Sequence, residues 1–127
     1  MEYPEGLRYS PEHEWVAVDG RRARIGITDY AQDALGDVVY VDLPEVGTSV
    51  VASQPCCEVE STKSVSEVFA PVSGTVAEVH DELADAPERV NEDPYGEGWI
   101  LVIEMSDPSE LDVLMDATAY RALVEEG

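Results

Sequence analysis

Apolar and polar positions alternate along much of this chain, in short stretches that are separated by turn-forming residues. Alternation with a period of two is typical of half-buried β-strands, because successive side chains on a strand point to opposite faces. Asp19-Gly20 is a hairpin turn signal between the first two stretches. The pattern predicts strands at residues 14–18, 23–27, 38–43, 56–60, 65–69 and 99–105. The chain is therefore predicted to be mainly β.

Helix-capping residues predict short helices beside these strands. Thr28, Asp107 and Asp116 each precede a segment with helical character, and a hydroxyl or carboxylate there accepts a hydrogen bond from the first helical turn. Gly36 suits the position after the end of the first helix. The last helix is predicted at residues 117–125. Its inward-facing side chains are predicted to be Tyr120, Leu123 and Val124.

The charge of the chain excludes some classes of partner. There are 28 acidic and seven basic residues, which give a formal net charge of −21 over 127 residues. Nucleic acids and anionic membranes are bound by clustered Lys and Arg, so neither is expected as a partner. No apolar run approaches the roughly 20 residues that span a bilayer, and the acidic N-terminus lacks a signal-peptide pattern. We expect a single cytoplasmic domain at residues 1–127.

The distribution of the acids leaves two explanations open. One is an acidic docking face for a basic partner. The other is solvation in a high-salt cytoplasm, where screening shortens the range of charge repulsion to about 3 Å at molar salt. The acids are spread along the whole chain and lysine is nearly absent, so we favour a halophilic source.

Lys63 is the only lysine in the chain, whereas the other six basic residues are arginines. A guanidinium stays protonated, but an amine can lose its proton and accept an acyl group. Lys63 falls in the predicted turn at residues 61–64, where small hydroxyl side chains leave its amine accessible to a modifying enzyme. Lys63 is therefore a candidate for covalent modification, and an unreplaced surface lysine is the alternative.

Other reactive residues predict no metal, redox or catalytic centre. Cys56 and Cys57 are adjacent and lack metal-site spacing, so one of them is expected to face the core as a small apolar residue. His13 and His80 have no ligand spacing and are expected to be packed or surface residues. No nucleophilic triad is visible, and we expect a protein without catalytic activity of its own.

Six blocks of the sequence, in the same order, resemble the glycine cleavage system H protein, a lipoyl-carrier family. The resemblance covers nearly the whole chain and implies a barrel-sandwich hybrid of the lipoyl/biotinyl kind. That fold is mainly β, with short flanking helices that include C-terminal ones. The blocks are His13-Glu14-Trp15, residues 25–32, residues 35–44, Glu60-Ser61-Thr62-Lys63-Ser64, residues 70–74 and residues 90–99.

The resemblance also implies specific roles for three residues. Lys63 is implied to carry lipoic acid in amide linkage at the tip of a hairpin. Glu14 matches the family position at which an acid contacts the amine of the carried aminomethyl group, and a solvated strand acid is the alternative. Glu67, four residues beyond Lys63, is a possible second acid of the same cleft.

The implied function is a non-catalytic carrier in glycine catabolism. It shuttles the aminomethyl group from glycine decarboxylase, a pyridoxal-phosphate enzyme, to the tetrahydrofolate-dependent aminomethyltransferase. It then presents its dithiol for reoxidation to dihydrolipoyl dehydrogenase, a flavoenzyme. A lipoate-attaching enzyme is the fourth implied partner.

Three alternatives remain open from the sequence. The first is a lipoate relay, which transfers its lipoyl group to other enzymes. The second is a lipoyl domain of another multienzyme complex. The third is an unmodified β-module that binds partners through its acidic surface. Thr62 and Ser64 argue against a biotin domain, since such domains typically have methionine on both sides of the lysine.

Overall fold

The computed structural model describes residues 1–126. It contains nine strands, three α-helices and two 3₁₀ helices. The strands are β1 (Arg8–Tyr9), β2 (Glu14–Asp19), β3 (Arg22–Ile27), β4 (Val38–Asp42), β5 (Ser49–Val50), β6 (Pro55–Ser61), β7 (Val65–Phe69), β8 (Gly74–Val79) and β9 (Leu101–Met105). The α-helices are α1 (Asp29–Leu35), α2 (Arg89–Glu92) and α3 (Ala117–Glu126), and the 3₁₀ helices are Asp81–Ala84 and Pro108–Val113.

The strands form two antiparallel sheets. The larger has the order β1-β2-β3-β9-β8-β5, and the smaller has the order β4-β6-β7. Buried apolar side chains of both sheets belong to one core cluster, as expected when two sheets bury their inner faces against each other. The predicted fold, a mainly β barrel-sandwich with short helices that include a C-terminal one, is confirmed.

The core follows the alternation in the sequence. Ile25 on β3 and Ile103 on β9 are fully buried, and so is Val59 on β6. Their neighbours Arg24, Glu104 and Glu60 point outward and are exposed. Burial of each aliphatic side chain stabilises the fold by about 1.5–3 kcal/mol, so the alternation determines which face of each sheet becomes the core.

The helix caps occur where the sequence predicts them. The Oγ1 atom of Thr28 accepts a hydrogen bond from Ala31 N at 3.2 Å, and α1 ends at Gly36, whose φ is +87°. Asp116 Oδ1 accepts from Ala119 N at 2.8 Å and caps α3. Tyr120 on α3 is fully buried. Its hydroxyl lies 2.7 Å from Thr28 Oγ1, so α3 is bonded to the start of α1.

Two features of the C-terminal half differ from the prediction. Leu123 is 40% exposed and does not pack inward. Helix α3 buries a narrow stripe that contains Ala117, Tyr120 and Val124, and Leu123 lies outside it at 100° per residue. The last strand begins at Leu101 rather than at Trp99, because Leu101 is the first residue that pairs with β3 and β8.

Alternation did not reveal the shortest elements. Strands β1 and β5 are two residues long, and two residues are too few to establish a period. Helix α2 has four residues, as does the first 3₁₀ helix. These pieces are held by backbone pairing and packing with distant segments rather than by local propensity.

The surface carries far more acid than base, and few of the acids are paired. Within residues 1–126, the ion pairs of arginine are Arg22–Glu78, Arg89–Glu82 and Arg89–Glu97. None of the helices in that range is both long enough and apolar enough to cross a membrane.

Candidate functional site

Lys63 lies exposed in the turn between β6 and β7, where the sequence places it. Buried Ser61 shapes this turn from within. The Oγ atom of Ser61 accepts hydrogen bonds from Lys63 N and Ser64 N, both at 3.1 Å, and the backbone N of Ser61 donates to Ser64 O at 2.8 Å. The backbone at the tip is thus internally bonded, while the lysine side chain remains accessible.

The hairpin tip is seated on the segment that follows α1. Thr62 N donates a hydrogen bond to Asp37 O at 3.1 Å. The Lys63 side chain crosses Gly36, where an added Cβ would stand 3.1 Å from Lys63 Cε. Gly36 has a positive φ as well, so both its backbone conformation and the close approach of the lysine favour glycine.

A cleft of about 290 Å³ adjoins the tip between α1 and β7. Tyr30, Ala31 and Leu35 of α1 form one wall. The opposite wall contains polar backbone and side-chain groups of the hairpin. The residues that line the cleft outside α1 are Glu12, His13, Ser64, Val65 and Ser66. A chain attached to Lys63 therefore has a groove with apolar and polar walls directly beside it.

Glu14 is buried, with 1% of its surface exposed, so the interpretation of Glu14 as a solvated strand acid is wrong. Its Oε1 accepts a hydrogen bond from Ser10 Oγ, and its Oε2 accepts one from Phe69 N at 3.2 Å. Burial raises the pKa of the Glu14 carboxyl to about 7, and these two hydrogen bonds partly oppose the rise. Glu14 thus lies against the end of β7 at Phe69, and it is not among the residues that line the cleft.

Glu67 occupies a different environment from Glu14. It is exposed on the outer face of the three-stranded sheet, directly opposite Glu58 on β6, which in turn lies opposite Asp42 on β4. The two acids share no hydrogen bond in the described chain. The structure therefore brings Glu14 to the edge of β7 and places Glu67 in a row of three carboxylates.

His13 lines the cleft, although the sequence predicted only a packed or surface histidine there. Its φ is +76°, a region that residues other than glycine rarely occupy. Its Nδ1 lies 2.8 Å from the Tyr120 hydroxyl, and its ring packs against Tyr30 with centroids 4.9 Å apart. Burial lowers the pKa of the His13 imidazole. No local sequence signal marks a histidine whose ring contacts a helix more than 100 positions later.

His80 lies near two acids, but the arrangement is an ion-pair network. Ligand atoms of His80, Glu82 and Glu97 fall within 4.8 Å of one another. Arg89 Nη1 bonds both carboxylates, at 3.2 Å to Glu82 and 3.1 Å to Glu97. A guanidinium already balances these acids. His80 also stacks on Trp99 with ring centroids 4.3 Å apart, so of the two predicted environments, packed or surface, it occupies the packed one.

Known proteins resemble this chain over its full length. The family model described as Glycine cleavage H-protein matches residues 7–127. The chain belongs to this family. The glycine cleavage system H protein of Anaeromyxobacter sp. (strain K) is 60% identical over 126 residues, which are 99% of this chain and 98% of that one. The one from Brevibacillus brevis is 57% identical over 126 residues, which are 99% of this chain and 100% of that one.

A solved structure supports the same assignment. The crystal structure of a glycine cleavage system H protein from Mycobacterium marinum matches with a TM-score of 0.88 and 39% identity. The match covers 96% of this chain and 98% of that one. The resemblance seen in the sequence blocks is therefore confirmed, and so is the role it implies, that of a lipoyl carrier in the glycine cleavage system.

Proposed function

We propose that lipoate is attached through an amide to Nζ of Lys63, and that residues 1–127 act as one carrier domain without catalytic activity. The carrier moves the aminomethyl group from glycine decarboxylase to the aminomethyltransferase, and dihydrolipoyl dehydrogenase then reoxidises it. The observation that supports this most directly is that the only lysine is exposed at the tip of an internally bonded hairpin. Such a tip fits the active site of a larger enzyme.

The residues around Lys63 suit the group. The amine is exposed and attached to a turn of small residues, and the adjoining cleft of about 290 Å³ offers apolar contacts along α1. When bound, lipoate supplies a disulfide that accepts the aminomethyl group and is restored by oxidation of the dithiol. Tethering at Lys63 keeps that disulfide at a millimolar effective concentration near each partner's active site.

Glu14 is proposed to hold the amine of the cargo in this cleft. A carboxylate shielded from water attracts a cation far more strongly than an exposed one. An ammonium beside Glu14 would stabilise its ionised form and lower its pKa from about 7. Because Glu14 is buried and does not line the open cleft, the residues around it must shift to admit the amine. Glu67 is proposed as an acid at the exposed rim, with a smaller contribution.

The remaining proposals concern partners and location. A lipoate-attaching enzyme is the first partner, because the carboxyl group of lipoate must be activated before an amine can form an amide with it. The three enzymes of glycine cleavage follow in turn. We propose a cytoplasmic location for this carrier.

The first test is the intact mass of the protein from its native host, followed by fragmentation of residues 58–69. We expect a single lipoyl-sized increment localised to Lys63. The matched measurement treats the unmodified chain with a competent lipoate-attaching enzyme. A Lys63 that is unmodified in the host and also refuses lipoate in this reaction would remove the carrier mechanism.

We also propose that the acidic surface is an adaptation to high salt. Asp42, Glu58 and Glu67 lie directly opposite one another on neighbouring strands, all exposed. None of them forms an ion pair with a basic side chain within residues 1–126. Like charges that face each other across strands destabilise a sheet, and salt screens that repulsion.

The salt proposal predicts that the free energy of unfolding increases between 0.1 M and 1 M salt, as the screening length falls from about 10 Å to about 3 Å. Urea denaturation at each salt concentration measures it. Glu58→Gln, which neutralises the middle of the row, should stabilise the protein at 0.1 M and do so less at 1 M. Glu5→Gln, with the same charge change at an exposed site elsewhere, is the control. Greatest stability at low salt would contradict the proposal.

A further inference from the structure

We infer that Asn91 is a positioning residue for the Lys63 hairpin: its amide holds residues 36–38, the seat of the hairpin tip, and so presents Lys63 to its modifying enzyme. The inference rests on the proposed attachment of lipoate to Lys63. Asn91 is the only asparagine in the chain, as Lys63 is the only lysine. It lies on α2, 28 positions beyond Lys63 in the sequence.

The Asn91 side chain makes three hydrogen bonds to one short stretch of chain. Its Oδ1 accepts from Val38 N at 2.8 Å, and its Nδ2 donates to Gly36 O at 2.9 Å. The same Nδ2 donates to Gln32 Oε1 at 3.0 Å. One planar amide therefore bridges the last turn of α1 and both ends of the seat, residues 36–38.

The held segment bonds directly to the hairpin. Between Gly36 and Val38 lies Asp37, whose carbonyl accepts the hydrogen bond from Thr62 N at 3.1 Å. Val38 also pairs with Ser61 at the start of the turn. The Lys63 stem crosses Gly36 itself. Asn91 thus acts on Lys63 through two steps, from its amide to residues 36–38 and from those residues to the tip.

The chemistry of the site requires an amide. The seat presents an N–H donor at Val38 and a carbonyl acceptor at Gly36, so the residue facing it must both accept and donate. An aspartate of the same shape keeps the acceptor for Val38 and loses the donor. Its second oxygen then faces the Gly36 carbonyl, which is left without this hydrogen bond.

Asn91→Asp is therefore expected to loosen the hairpin tip while the two sheets remain folded. A protease that cleaves only after lysine has one site in this chain, Lys63, so its rate reports on local opening of the tip. Loss of two hydrogen bonds predicts roughly tenfold faster cleavage of the unmodified chain. Gln54→Glu is the matched control, since it makes the same change from amide to acid at an exposed residue.

Lipoate attachment gives the second measurement. If the enzyme must order a loosened tip, it pays for that ordering on binding, so KM for the carrier should rise roughly tenfold while kcat is unchanged. Faster cleavage together with the KM effect supports the inference. Cleavage and KM at the wild-type values in a folded Asn91→Asp protein would overturn it. If the wild-type chain accepts no lipoate while Asn91→Asp is still cleaved faster than the wild type, the proposed attachment is refuted. The role of Asn91 in holding the hairpin tip then still stands.

Amide hydrogen exchange of the wild-type chain decides the matter if Asn91→Asp does not fold. The Val38 and Thr62 amides should exchange together, as members of one opening unit. Thr62 exchanging at the rate of an unstructured amide while Val38 remains protected would show that the seat does not hold the tip.

Discussion

Lys63→Arg is expected to abolish aminomethyl transfer completely. Arginine retains the positive charge and most of the length of the side chain, but its guanidinium does not serve as an acyl acceptor. The fold should be unaffected, because Lys63 is exposed and the bonds of the turn come from Ser61 and the backbone. Glycine-dependent release of CO₂ in a reconstituted system with the three partner enzymes would fall to the level seen without carrier.

A relocated lysine provides the matched control. Arg121 is exposed on α3, far along the chain from the hairpin. In the double variant Lys63→Arg/Arg121→Lys, the net charge and the single lysine are both retained, yet the lysine is no longer in the turn. We expect neither lipoate attachment nor transfer. Transfer by Lys63→Arg at the wild-type rate would instead favour the unmodified β-module that binds partners through its acidic surface.

Glu14→Gln is expected to stabilise the unloaded protein at high pH and to weaken its hold on the cargo. The Glu14 carboxyl has a pKa near 7 in the folded protein and an ordinary value of 4.5. Folding therefore favours the neutral acid. The free energy of unfolding is highest, as far as Glu14 is concerned, below pH 4.5, and it falls as the pH rises through about 7. The shift corresponds to a penalty of up to about 3 kcal/mol above pH 8, and of under about 1 kcal/mol at pH 5.

Glutamine removes this penalty because it never ionises. Urea unfolding should show Glu14→Gln to be more stable than the wild type by about 2–3 kcal/mol at pH 8, with a much smaller difference at pH 5. In the loaded carrier, by contrast, the same substitution should be unfavourable, because it weakens retention of the aminomethyl group. Without the carboxylate, the amine of the cargo loses its counter-charge, and the aminomethyl group is released to water faster than from the wild type.

Glu67→Gln distinguishes the contribution of Glu67 to cargo retention from that of Glu14. Glu67 is exposed, so its substitution should increase the loss of cargo much less than Glu14→Gln does. Equal effects of the two substitutions on cargo release would show that the burial of Glu14 is irrelevant to retention. A stability difference between Glu14→Gln and the wild type that does not vary with pH would show that Glu14 is not a buried titrating acid.

Several features of this protein follow from sequence because they depend on local interactions. Alternation predicts β2, β3, β6 and β7, since the choice between core and solvent is made at each position of a strand. Thr28 and Asp116 predict their helix starts because a cap bonds to backbone groups two or three residues away. The turn that holds Lys63 is local too.

Other features depend on residues that meet only in the folded chain. Glu14 lies between a histidine and a tryptophan, and its carboxyl is buried against Ser10 and the end of β7. The His13 ring contacts Tyr120 on the last helix, with Nδ1 2.8 Å from the hydroxyl. Leu123 fits an amphipathic pattern but lies outside the stripe that α3 buries.

The sequence by itself determined most of the strands and the single acyl-accepting lysine, because strand alternation and residue chemistry are readable one segment at a time. The arrangement of the strands in a barrel-sandwich came from the family resemblance. Tertiary structure alone decided how that lysine is supported. The seat joins α1, the segment after it, α2 and the hairpin through hydrogen bonds between residues up to 59 positions apart. Such bonds produce no hydrophobic periodicity in a sequence, because a single polar side chain, the amide of Asn91, makes them.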